Sequence, residues 1–374
     1  MVWGERLMHK YLIVLKEESD LSFLEEYNAS NIEVHMKVIV FAHMEESDAL
    51  KLKNHDLVES IEEDGAESTD VESSEGNIYE TSQTSYAFDM MNIQQFHKEG
   101  YKGQGLKIGI LDTGVQKHTN LKVESGINVY DSTLPWDNSL ANSHGTLVAG
   151  VINAQGIDGN LIGIAPEAKI YAVRIDNGNG AINSTTWSSQ IAGMSWAVDN
   201  GMDAVNCSFS SRIESKARKK AFEIASNNGI AIFCSAGNTQ PRTDTTTNTA
   251  KYPAKYPFTI ANANINPDKT RYPTSCIGQG LNFSNGGVKI ITTTTARNST
   301  AVSSSYSTGS TGTSLASPAT LGIYILYKQM YQEPKEKILQ RMAVNAEPLG
   351  DTFWYGAGLP KYPTKNYLNI QVRG

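Results

Sequence analysis

The sequence predicts an α/β protein: a large domain with a mostly parallel sheet between two helical layers, preceded by a small α+β unit of ferredoxin-like type. Three observations carry this. From about residue 95 onward, short apolar strands alternate with amphipathic helical stretches. Ahead of them, residues 10–64 hold strand and helix patterns in β-α-β-β-α-β-like order. Between the two, residues 62–77 are rich in Glu, Asp, Ser and Gly, with Val71 as the one sizeable apolar side chain. Such a composition cannot bury a core and reads as a linker.

In chain order, Lys10–Leu15 is apolar and β-branched, the pattern of a buried strand. Asp20–Tyr27 has helical spacing with an Asp/Ser start, and Val38–Phe41 is a second strand. Glu45–Asn54 reads as a helix and Leu57–Ile61 as a strand. In the large domain, Leu106–Leu111 is a near-continuous apolar strand ending at Asp112, and Ile170–Ile175 is another. Thr186–Asn200 reads as an amphipathic helix carrying Ile191, Met194, Trp196 and Val198. A strand at Ala204–Ser208, a helix at Ala217–Asn228 and a strand at Ile230–Cys234 continue the rhythm. Asp112, Ser208 and Asn238 all fall at or just past strand ends, where parallel sheets gather their ligands. The Ser/Thr-rich stretch 292–313 reads as surface loop or edge ribbon. The division expected is 1–80, with its acidic linker at about 62–80, and 81–374.

Bulk properties narrow the class. The chain has 374 residues, 40% hydrophobic and 19% charged, as globular proteins do. No apolar run approaches the ~18 residues that span a bilayer, and basic residues are dispersed without interleaved aromatics, so neither a membrane nor nucleic acid is an expected partner. The first ten residues lack the apolar stretch of a signal peptide. Three cysteines, Cys207, Cys234 and Cys276, form no framework spacing and fit a reducing compartment as buried thiols. A cytoplasmic location is expected on these grounds, with virion association and leaderless export also compatible. Residues 1–80 hold 20 Asp/Glu against 6 Lys/Arg, and residues 81–374 hold 19 against 26. Net charges of −14 and +7 suggest two units that attract each other.

Three short motifs supply an acid, a base and a nucleophile in fixed order: Asp112-Thr113-Gly114, His144-Gly145-Thr146 and Gly312-Thr313-Ser314-Leu315-Ala316-Ser317-Pro318. A serine hydroxyl needs an imidazole to take its proton, and the imidazole needs a carboxylate to fix its tautomer. Ser314 lies just before the helical pattern Leu315–Tyr331, near backbone N–H groups that can hold a developing oxyanion. Asn238, in Phe233-Cys-Ser-Ala-Gly-Asn238, offers an amide donor for the same anion. Taken singly, Ser314 reads as a helix cap, Asp112 as an Asx-turn residue and Asn238 as a turn residue. Position 316 is Ala, so Gly-x-Ser-x-Gly is absent and an α/β-hydrolase esterase is disfavoured.

These motifs, with Ser235-Ala-Gly-Asn238 and the weaker Gly163-Ile-Ala-Pro166, Asn206-Cys-Ser208, Tyr252-Pro-Ala254 and Tyr355-Gly-Ala-Gly358, resemble those of subtilisin-like serine proteases over roughly residues 90–360. The resemblance implies the family's three-layer α/β fold. It also implies Asp112 as orienting carboxylate, His144 as general base then acid, Ser314 as nucleophile and Asn238 as oxyanion donor. Peptide substrate would pair along Ser208, Phe209 and Ser210, with Ser235, Ala236 and Gly237 also among the substrate-binding residues and with Trp187, Gln190 and Phe209 shaping the P4 site. Ser210 stands where the family has Gly and narrows the P1 entrance. Residues 10–64 resemble the family's inhibitory propeptide, which implies an intramolecular inhibitor removed by self-cleavage near Ile78-Tyr79-Glu80-Thr81. Protein or peptide substrates are the partners so implied. No cofactor is expected for catalysis. A structural calcium ion would use Asn120 and Gln155–Leu161, where Ile157 replaces a polar ligand and Asp158 could compensate. A non-catalytic scaffold of the same fold, and a dedicated processing protease for one protein or leader peptide, are the alternatives.

Overall fold

The computed structural model describes residues 7–68, 77–78, 84–137, 144–176, 184–239, 246–296 and 301–364. The N-terminal unit is a four-stranded antiparallel sheet of β1 (His9–Leu15), β2 (Ser30–His35), β3 (Ile39–Met44) and β4 (Val58–Glu63), ordered β2-β3-β1-β4, with helix α1 (Glu46–Leu52). The segment expected to be a helix at 20–27 is a single 3₁₀ stretch, Ser22–Tyr27, because Leu24 is its one buried residue. β1 lacks clean alternation because both its faces are covered. Tyr11, Ile13 and Leu15 pack inside the unit, whereas Leu12 and Val14, with Ile39 and Phe41 of β3, join a core of the large domain.

Past β4 come two short strands, β5 (Ala66–Ser68) and β6 (Asn77–Ile78), then helices α2 (Tyr86–Met90) and α3 (Ile93–Lys98). The expected linker is therefore structured as far as Ser68, and of the expected cut near 78–81 only Ile78 is among the described residues.

The large domain follows as β7 (Lys107–Asp112), β8 (Val123–Asn128), α4 (His144–Asn153), β9 (Lys169–Arg174), β10 (Ser184–Thr186), α5 (Trp187–Asp199), β11 (Ala204–Cys207) and α6 (Lys216–Asn227). Then come β12 (Ala231–Ser235), β13 (Ile260–Ile265), β14 (Leu281–Gly286), β15 (Ile290–Thr294), β16 (Ser305–Ser310), α7 (Thr313–Tyr331), α8 (Lys335–Asn345) and α9 (Thr352–Tyr355). Seven strands form one parallel sheet, β14-β13-β12-β11-β7-β9-β8. Its inner strands β7, β11, β12 and β13 are buried on both faces. Ile108, Ile110 and Phe233 meet α4 and α7, while Leu111, Ile232 and Cys234 meet α5 and α6. Strand order reverses between β7 and β11, so the crevice beyond their carboxyl ends is the topological switch point.

β15 and β16 form the antiparallel ribbon that the Ser/Thr-rich stretch suggested. It is not a surface ribbon throughout. Thr292 and Thr293 are buried and donate their hydroxyls to Leu147 O (2.6 Å) and Thr146 O (2.8 Å), bracing α4.

Candidate active site

β7 delivers Asp112 to the switch point, and β11 runs beside it in register, Cys207 against Leu111, so Ser208 emerges next to Asp112. The start of α4 closes on the same point. Gly145 N donates to Thr113 Oγ1 at 3.1 Å, and Gln116 N to Thr146 Oγ1 at 3.0 Å. A Cβ on Gly145 would lie 2.1 Å from Gly114 O, so only glycine permits this approach. His144 consequently faces Asp112, with Nδ1 at 2.7 Å from Oδ1 and 3.0 Å from Oδ2, both residues being buried. Thr113 N donates to Asp112 Oδ1 at 2.8 Å, fixing the carboxylate from its own turn.

Ser314 sits in the first turn of α7, after Gly312 at φ +154°. Its Oγ donates to Ser208 O at 3.4 Å, and Ser208 Oγ donates to Ser314 O at 2.8 Å, so the β11 end and the α7 start hold each other. The clamp extends inward. Ser317 Oγ donates to Asn206 Oδ1 at 2.9 Å, and Asn206 Nδ2 donates to Ser208 Oγ at 2.8 Å. Asn206 and Ser317 are positioning residues that sequence reasoning quoted within motifs without assigning them this work.

Asn238 lies three residues past the end of β12. Its Oδ1 accepts from Thr313 N at 3.1 Å and Thr313 Oγ1 at 3.0 Å. That fixes the flip of the amide, because a backbone N–H can only face the oxygen. A Cβ on Gly312 would stand 3.3 Å from Asn238 Nδ2 and 3.7 Å from Ser314 N, so these two donors flank one small space kept open by glycine.

The remaining predicted residues line the surroundings. Phe209, Ser210, Ser235 and Ala236 are buried, and Gly237 takes φ +98° as the chain turns toward Asn238. Trp187 opens α5, behind the capping box of Thr186 and Ser189. Gln190 is fully buried, where its Oε1 accepts from Arg218 Nη1 at 3.1 Å, so it shapes this region by holding Arg218 beneath the Trp187 ring.

The N-terminal unit packs on α5 and α6. Glu62 caps α6: its Oε1 accepts from Ser215 Oγ (2.6 Å) and Ala217 N (3.0 Å). Asp64 caps α5, accepting Ser188 N at 3.0 Å and Ser188 Oγ at 2.5 Å. Burial raises the Asp64 carboxyl above its ordinary value, against the opposing pull of the Ser188 bonds. The charge asymmetry is thus expressed mainly at helix N-termini; Lys220–Glu59, at 3.8 Å, is a longer-range pair between half-exposed groups. Beyond these caps β5 pairs antiparallel with β10, and Trp187 N donates to Gly65 O at 2.9 Å.

The residues expected to hold calcium are hydrogen-bonded to one another and to neighbouring backbone. Asn120 Oδ1 accepts from Ile157 N at 3.1 Å and its Nδ2 donates to Leu161 O at 2.7 Å. Gln155 Nε2 is spent on Asn153 O and Pro166 O.

The sequence model of the subtilase family of peptidases matches residues 103–358. Subtilisin DY of Bacillus licheniformis is 34% identical over 276 residues, 73% of this chain and 95% of its own. The thermostable alkaline protease of Halalkalibacterium halodurans is 30% identical over 354 residues, 94% of this chain and 90% of its own. Subtilisin E of Bacillus subtilis is 32% identical over 277 residues, 73% of this chain and 69% of its own. With this matched span enclosing Asp112, His144, Asn238 and Ser314 at one switch point, the chain belongs to the subtilase family and is a subtilisin-like serine endopeptidase.

Proposed function

We propose that Asp112, His144 and Ser314 form the catalytic triad, that Asn238 Nδ2 and Ser314 N form the oxyanion hole, and that residues 1–80 are a self-cleaved inhibitor. The meeting of an acid–base pair with a serine and two N–H donors carries the reading. Ser314 Oγ attacks the substrate carbonyl as its proton passes to His144 Nε2. The oxyanion is held by the two donors, and the protonated His144 gives its proton to the departing amine. Water, deprotonated by His144, then releases the acyl group and regenerates Ser314. Peptide would lie along Ser208–Ser210 as an added strand.

For the N-terminal unit, the supporting observations are the two carboxylate caps and the strand β5, which pairs antiparallel with β10 of the large domain. The homology over 94% of the chain, reaching into this unit, agrees. A fluorophosphonate probe tests the chemistry: label mapped to Ser314 is expected, and an active-length, folded chain that takes no label would leave the scaffold alternative.

Two further outcomes are expected. Asn238→Leu should lower kcat by about 10²–10³ with little change in KM, the loss measured for the oxyanion-hole asparagine of a subtilisin. A KM effect alone would remove Asn238 from this role. Glu62→Ala should release the N-terminal unit sooner, because a lost helix cap costs about 0.5–2 kcal/mol. The readout is the lag before full-length protein reaches its final proteolytic rate. Asp64 adds a pH dependence. Its pKa is raised when docked, so its burial cost is greatest above the docked value and is relieved as pH falls through that value. On this group's account the lag lengthens toward acid pH, and in Asp64→Asn that component disappears.

A further inference from the structure

The pocket beside the nucleophile has a wall that the reading above leaves unexplained. If Ser314 and Asn238 grip the carbonyl under attack, the P1 side chain attached next to it enters the space between the Ser208–Ser210 strand and the Ala236–Asn238 strand. Gly237, lacking a side chain, lets the Lys251 stem approach on this side. A Cβ built on it would lie 2.8 Å from Lys251 Cδ, 3.0 Å from Lys251 Cγ and 3.1 Å from Ser210 Oγ. The lysine stem and the serine hydroxyl therefore face the same small volume, one residue from the oxyanion amide.

The backbone fixes this arrangement. Lys251 N donates to Ala236 O at 3.0 Å, and Tyr252 and Ser211 exchange N–H···O bonds of 2.8 Å each. Residues 251–252 thus bridge both strands. Lys251 is half-buried there, with its Cγ and Cδ against Gly237.

We infer that Lys251 makes this protease select an acidic P1 residue, glutamate or aspartate. The inference rests on the serine-protease reading and deepens it. The stem and Ser210 reduce the room for a broad aromatic ring. A cationic P1 residue would meet a like charge in a site of reduced dielectric, and a carboxylate would meet its complement. Glutamine, isosteric with glutamate, isolates the charge from the shape.

The test uses the full chain, brought to its final proteolytic rate, and four peptide p-nitroanilides that differ only at P1: Glu, Gln, Phe and Lys. The expected order in kcat/KM puts Glu first, ahead of Gln by about tenfold or more. That ratio should shrink as salt is raised, because a half-exposed charge pair is screened. Lys251→Met, which keeps the stem and removes the charge, should bring Glu and Gln within about threefold of each other. Lys251→Glu should move the preference toward Lys. Faster turnover of Phe or Gln than Glu by the unaltered chain overturns the inference, as does a Glu/Gln ratio indifferent to salt and to Lys251→Met. The salt series needs no variant, so poor folding of a mutant leaves the question decidable. Label at Ser314 without an acidic preference sinks this inference alone. Absence of both label and hydrolysis sinks the protease reading with it.

Discussion

Ser314→Ala is expected to lower kcat by about 10⁶-fold, leaving the chain folded and at full length. The magnitude is carried over from the nucleophilic serine of a subtilisin, a relative of this chain. The local geometry argues that the loss is chemical. The Ser314 side chain makes a long 3.4 Å bond to Ser208 O, whereas the clamp on α7 runs through the Ser314 carbonyl, Ser317 and Thr313. All of these survive the substitution, so Tm should change by no more than a weak hydrogen bond implies, about 1 kcal/mol. The proposed oxyanion donors also survive, and a residual acceleration of about 10³–10⁴ over water is expected from them. Casein hydrolysis, and the persistence of the N-terminal unit on the chain, are the measurements. A folded Ser314→Ala protein that still processes itself at the unaltered rate would overturn the assignment.

The parts of the site that were legible in the sequence are those where the backbone permits few residues. Gly145 must pass close to Gly114 O, and Gly312 must leave room for two N–H donors, so the small residues around His144 and Ser314 carry the signal. Of the parallel strands, β7, β9, β11 and β12 were legible because burial on both faces demands apolar runs, whereas β8, β13 and β14 were not, because Glu, Ser and Asn interrupt them. β2 was not, because Ser30–Val34 are exposed and its polar sequence carries no burial pattern. Glu62 and Asp64 read as linker because their partners are helix N-termini far along the chain, at Ser215 and Ser188. Thr292 and Thr293 read as surface for the same reason: a buried threonine is tolerated once a distant carbonyl accepts its hydroxyl, and composition does not reveal that carbonyl. Lys251 shares this property, since only its pairing with Ala236 brings it to the pocket.

Asp112→Asn should lower kcat by about 10⁴-fold, the scale found for the same change in a triad of a different fold, with KM held within about threefold. A carboxylate presents acceptors only, and both of its oxygens lie within 3.0 Å of His144 Nδ1. Nδ1 must then carry the proton, which leaves Nε2 as the base that Ser314 needs. An asparagine presents one acceptor and one donor. Its oxygen can remain with Thr113 N–H while its NH₂ faces Nδ1, and the proton then sits on Nε2, where it blocks attack. The negative charge that steadies the imidazolium in the transition state is lost as well. Both effects fall on the chemical step, so labelling of Ser314 by a fluorophosphonate should slow in parallel with kcat. A purely structural role for Asp112 predicts something else: a lowered Tm, with kcat recovered at temperatures where the fold is intact.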